Sequence, residues 1–203
     1  MHRNNSKNYD WQKGFGLPEL LITIIVISIV VVAALPGIIS SRHLSQFSEM
    51  QKQIAVSLGD ARQEAMSQKV TVTFRYDNIN KIIIIHGGNF GMLGDVANRV
   101  VDLSGFGLEK SAIVYGRPRG TSESPLTDTT NLTELVENSV EITFQPDGVV
   151  RDEANNPQNN ALFFYYKKYP KDTSFAVSVL GAGGRVKGWR YSSNIKDYVE
   201  KKQ

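Results

Sequence analysis

The residues best placed to do chemistry in this chain stand near its start. Lys13-Gly14-Phe15-Gly16-Leu17-Pro18-Glu19 runs into sixteen uncharged residues, Leu20 to Leu35. Glu19 is an acid at the head of an apolar run. A carboxylate held in hydrocarbon costs about 3 kcal/mol, so its presence implies a function and a partner that neutralises it. Counted from Phe15 the segment has about 20 residues, the length of a helix that crosses a hydrocarbon core roughly 30 Å thick. Pro18 falls in the first turn of such a helix, where the amide it lacks would be unpaired anyway. Two ordinary readings compete. A secretory signal peptide has a shorter apolar core and a small-residue cleavage site, for which Ala33-Ala34 offers a weak version. A plain signal anchor has no use for Glu19. Before the apolar run, Arg3, Lys7 and Lys13 stand against Asp10, so this short side should stay cytoplasmic and the rest should cross the membrane.

The elements that must position this segment follow from periodicity. Pro36-Gly37 is placed to kink the helix. Beyond it, Leu44, Phe47, Met50, Ile54, Leu58, Ala61 and Ala65 recur at steps of three and four, one face of a helix running to about Lys69. A coiled-coil seam would need longer heptads, so the stripe is read as packing on the protein's own sheet. From Val70 the period becomes two. Strands are expected at Val70–Tyr76, Lys81–His86, Ala112–Tyr115, Val140–Phe144, Ala161–Tyr166, Ser174–Leu180 and Arg185–Tyr191, with a tight turn at Pro146-Asp147-Gly148. A helix followed by strands predicts an α+β fold, a long N-terminal helix against an antiparallel sheet. The organisation read from this is a basic leader at 1–14, a membrane helix at 15–36, an amphipathic helix at 37–69 and a β-rich domain at 70–203. Gly116 to Asn138, rich in Ser, Thr and Pro, reads as an exposed loop.

Lys-Gly-Phe-x-Leu-x-Glu-Leu ahead of an apolar helix resembles the class III signal of type IV pilins and type II secretion pseudopilins. The resemblance implies that a prepilin peptidase cuts after Gly14 and methylates Phe15. It also implies that Glu19, fifth in the mature chain, meets the free amine of Phe15 on a neighbouring subunit and sets the axial register of a filament. Glu141-Ile142-Thr143-Phe144-Gln145-Pro146-Asp147-Gly148 resembles a hairpin of the GspH/FimT branch, and Phe175–Val179 with Gly183-Gly184-Arg185-Val186 resembles that branch's closing hairpin. The branch implies a minor pilin or pseudopilin of the inner membrane. Its expected partners are other pilins, with the domain on the periplasmic side, in a tip complex that starts filament assembly.

Charge divides the chain. Residues 161–203 hold nine Lys and Arg against three acids, whereas residues 15–160 hold eleven against sixteen. A basic C-terminal end favours a polyanion. Arg185, Lys187 and Arg190 flank Trp189 and Tyr191, a composition suited to phosphate contact and base stacking. Some FimT-like pilins of natural transformation bind DNA through a Gly-Arg-x-Arg element, matched here by Gly184-Arg185-Val186-Lys187. The lysine keeps the charge but loses the bidentate fork. A solvated basic face is the plain alternative.

No enzyme or cofactor is expected. The chain has no cysteine, which removes a disulfide framework and a lipidated cysteine anchor. His2, His43 and His86 fall on separate elements, giving no metal-ligand spacing. Gly181-Ala182-Gly183-Gly184 lacks the strand–loop–helix setting of a phosphate loop, and no nucleophile motif stands out.

Overall fold

A computed structural model describes residues 16–87 and 99–201, and for residues 35–41 the backbone alone. Gly14, Phe15 and the rest of the leader lie outside the described residues. The chain divides into two compact units, Met1–Ser41 and Arg42–Gln203. The helix α1, Leu17–Gln68, contributes to both, and its backbone stays helical through Pro36-Gly37.

In the first unit, Leu17–Ala34 is long and apolar enough to cross a membrane, and every side chain on it is exposed. Leu20, Ile22, Ile27 and Val32 each keep more than half of their surface open. Among the described residues of the unit nothing covers this surface, a continuous exposed apolar face of the kind that marks an interaction site.

In the second unit the helical stripe is the floor of the core. Phe47, Met50, Ile54, Leu58, Ala61 and Ala65 are each 2% exposed or less, while Leu44 at the near end is half-buried. The strands are β1 (Val72–Asp77), β2 (Ile82–Gly87), β3 (Arg99–Asp102), β4 (Ile113–Tyr115), β5 (Ser139–Phe144), β6 (Asn160–Tyr166), β7 (Phe175–Leu180), β8 (Arg185–Ser192) and β9 (Asp197–Glu200). They form two antiparallel sheets rather than the one expected, in the orders β3-β2-β1-β5 and β4-β6-β7-β8-β9. β3 and β9 were not foreseen from the sequence. Each is four residues long and lies at a sheet edge, too short to carry a period.

Strand alternation places one set of side chains on each face. Val72, Phe74 and Tyr76 of β1 join Leu162 and Phe164 of β6 and Val177 and Val179 of β7 in one core with the helix stripe. The intervening residues Ala161, Phe163, Ala176 and Trp189 point the other way and build a second core with Leu126, Tyr191 and Tyr198. The second sheet is therefore buried on both faces, which explains why β6 and β7 read as near-continuous apolar runs.

One polar residue crosses the main core. Gln51 of α1 is 5% exposed and donates its amide Nε2 to the carbonyls of Ala176 (3.1 Å) and Trp189 (2.8 Å). Gly188 leaves the space it needs, since a Cβ there would stand 3.2 Å from Nε2. The bonds fix the helix's register against β7 and β8, because slipping it would strand a buried amide.

Candidate functional site

The N-terminal site is a helix start with an acid in its first turn. Gly16 lends its carbonyl to the amides of Glu19 (3.1 Å) and Leu20 (3.2 Å), and its own amide donates to Glu19 Oε2 at 3.2 Å. This is the side-chain half of a capping box, and a carboxylate in the first turn also meets the positive end of the helix dipole. Pro18 sits within the same turn without interrupting it. Glu19 is exposed, so its carboxylate is available at the head of the apolar surface.

The basic C-terminal region is arranged differently from its sequence. On β8, Arg185, Lys187, Trp189 and Tyr191 share one face and Arg190 lies on the other. Trp189 is fully buried and Tyr191 is 7% exposed. Lys187 lies over the Trp189 ring at 5.4 Å and is paired to Glu200 of β9 at 3.0 Å. The expected aromatic stacking platform is thus corrected: the rings are core, and a lysine caps one of them. Arg185 and Arg190 are exposed, at opposite ends and on opposite faces of the strand. Alternation in the sequence was the signal that separates Arg190 from the other two.

Gly116–Asn138 covers the second core as a roof. Leu126 is 3% exposed and Thr130 is fully buried, so the segment is irregular but not free of the fold. Arg117 stacks on Phe163 at 4.3 Å and donates to the carbonyls of Ser122 (2.6 Å) and Ser124 (2.7 Å). Burial pulls its pKa below the usual arginine range, with Tyr198 and Asp197 opposing. A chain of bonds pins the roof: Trp189 Nε1 donates to Ser178 Oγ (2.8 Å), which donates to Asp128 Oδ2 (2.7 Å), while Oδ1 accepts from Thr130 N (3.2 Å). Asp128→Ala removes both anchors, and loss of a charged acceptor from partly buried donors costs about 2 kcal/mol. Urea unfolding of a Trp11→Phe background should show that loss, together with a red-shifted Trp189 emission.

The two turns singled out by their glycines converge on one helical residue. Arg62 donates Nε to the carbonyl of Gly148 at 3.3 Å. Gly148, at φ +77°, would crowd Met66 Sδ at 2.7 Å if it carried a Cβ. Gly184, at φ +58°, touches both Gly148 O and the Arg62 side chain, and Gly181 abuts the backbone of Gln158. The turn's space is filled by the chain itself, as a packing device rather than a phosphate cradle.

Of the histidines, His43 stacks on Tyr166 with ring centres 5.0 Å apart, and His86 sits on β2. His2 lies outside the described residues. Among the described residues no three His, Asp or Glu side chains gather as a metal site.

Comparison with known proteins places weight on the N-terminus. Residues 12–35 match the family model described as the prokaryotic N-terminal methylation motif. No curated protein matches the chain. Two crystal structures of the type IV minor pilin FimU of Pseudomonas aeruginosa are similar, at 16% and 15% identity with TM-scores of 0.45 and 0.44. Each similarity covers 70% of this chain, and 87% and 90% of the two FimU chains respectively. The methylation motif begins before Gly14 and ends with the apolar segment that Glu19 heads, so what this chain shares with a known family is a prokaryotic N-terminal methylation motif, here ahead of an α+β fold.

Proposed function

We propose that this chain is a minor pilin or pseudopilin of the GspH/FimT type, a low-copy subunit that joins other minor subunits in a tip complex initiating a pilus or secretion pseudopilus. Prepilin peptidase cleaves it between Gly14 and Phe15 and methylates Phe15. The leader stays cytoplasmic, Leu17–Ala34 holds the inner membrane, and the β-rich domain lies in the periplasm until the subunit is extracted into the filament. The work is packing rather than catalysis: apolar helices bundle, and Glu19 meets the amine of a neighbouring Phe15. The observation that carries this reading is the methylation motif over residues 12–35, with Glu19 inside it.

The second reading, a DNA-binding minor pilin in natural transformation, has Arg185 exposed near the β7–β8 turn in its favour. Against it, Lys187 is engaged by Glu200 and Arg190 belongs to the opposite face. Assembly is therefore the function we adopt. Mass spectrometry of the purified native protein tests it. The expected N-terminus is N-methylated Phe15. A chain that retains Met1, or one trimmed beyond Ala34, would refute the assignment.

A further inference from the structure

The positive charge concentrated in the last 43 residues does not gather around Gly184-Arg185. Four of its nine cations, Lys167, Lys168, Lys171 and Arg190, lie instead at the end of the domain where the folded unit begins. Three contacts establish this. His43, the second residue of the folded unit, stacks on Tyr166 and lies 6.2 Å from the ring of Tyr169, which brings the β6–β7 turn to the start of the unit. That turn carries Lys167, Lys168 and Lys171, all exposed, with Asp172 as its acid. Arg190 lines a small crevice with Leu44, Ser48 and Thr173, so β8 delivers its last cation to the same end. Lys171 Nζ reaches toward Gly120, beside the exposed Arg119. Arg185, by contrast, follows Gly184, which touches Arg62, 20 residues further along α1 than Arg42.

Arg42 is the eighth residue after Ala34, so no more than about 28 Å of chain can separate them, whatever the attitude of the two units. From these placements we infer that Arg42, Arg119, Lys167, Lys168, Lys171 and Arg190 form a surface that rests on the anionic phospholipid headgroups of the membrane holding this chain's own apolar helix. Basic residues close to a bilayer gain attraction from anionic headgroups that fades within a Debye length. Tyrosines are suited to the same boundary, with an apolar ring and a polar tip, and Tyr166 and Tyr169 are each partly exposed in this turn. Such a contact would hold the domain against the bilayer before extraction, and leaving the membrane would require its release. The inference rests on the reading that Leu17–Ala34 spans the membrane.

Full-length protein in lipid nanodiscs, followed by amide hydrogen exchange, tests it. Exchange of residues 166–173 should be slowed about fivefold or more in discs containing anionic lipid relative to purely zwitterionic discs, with the difference lost at high salt. The Lys167→Glu/Lys168→Glu/Lys171→Glu variant should abolish the difference, and Arg185→Glu should leave it intact. Equal exchange in both lipids would overturn the inference, provided residues 17–34 are themselves protected. If residues 17–34 exchange freely, the membrane-spanning reading fails instead, and the inference falls with it. Protection by duplex DNA in zwitterionic discs that matches the anionic-lipid effect would overturn it in favour of a soluble polyanion.

Discussion

Glu19→Ala is expected to lower the amount of this subunit recovered with sheared filaments by about tenfold or more, while cleavage and membrane insertion proceed as in the unaltered chain. The magnitude follows from what the carboxylate must do. A charged group at bilayer depth costs about 3 kcal/mol, and a tenfold change in occupancy needs only about 1.4 kcal/mol of lost pairing. The structure supplies a competing explanation, because Glu19 Oε2 also accepts the amide of Gly16 at 3.2 Å and caps the helix start. Glu19→Gln separates the two roles. Its amide oxygen can still accept from Gly16, but it brings no charge to a neighbour's amine. Both variants should lose incorporation if the ion pair is what matters. Immunoblots of filament and membrane fractions give the readout, and a glutamine variant that assembles normally would assign Glu19 to capping alone.

The second large effect is structural. Gly184→Ala places a methyl group against Gly148 O and Arg62 at a backbone φ of +58°. The left-handed conformation costs a non-glycine residue about 1–2 kcal/mol, and forcing atoms into a filled site typically costs about 1–3 kcal/mol more. The sum is roughly 2–5 kcal/mol, which for a protein of this size lowers the melting temperature by about 4–20 °C. The adjacent Gly183 has nothing within 4 Å of its would-be Cβ and no positive φ, so Gly183→Ala should melt within a degree or two of the parent. Thermal unfolding of the detergent-solubilised full chain compares the pair. Equal melting temperatures would show that the contact between the β7–β8 turn, Gly148 and Arg62 carries no stability.

These outcomes bear on how the protein can be read. The helix stripe from Leu44 to Ala65 was legible because one buried face recurs every 3.6 residues, and six of its seven residues are core, with Leu44 half-buried at the near end. The seven expected strands were legible, β1 from alternation and β6 and β7 as short apolar runs, with ends displaced by a residue or two. Sheet membership was not, since a strand's own pattern says which faces are apolar but not which strand lies beside it. The pairing of Lys187 with Glu200 depends on β9, a four-residue edge strand whose place is set by its neighbour β8.

The N-terminal assignment needed nothing but sequence. In the proposed function Lys13 to Glu19 and the apolar run meet a peptidase, lipid and other subunits, so their meaning lies in the local order of residues. The basic C-terminal region required the tertiary structure. Alternation on β8 puts Arg190 on the opposite face from Arg185 and Lys187, and the roof held by Asp128 turns Trp189 from a surface ring into core. Charge adjacent in sequence is divided by a period of two, and charge distant in sequence is collected where a hairpin folds back to the start of the domain. Local order governs what a single helix presents; only the packing of sheets against that helix decides which cations share a surface.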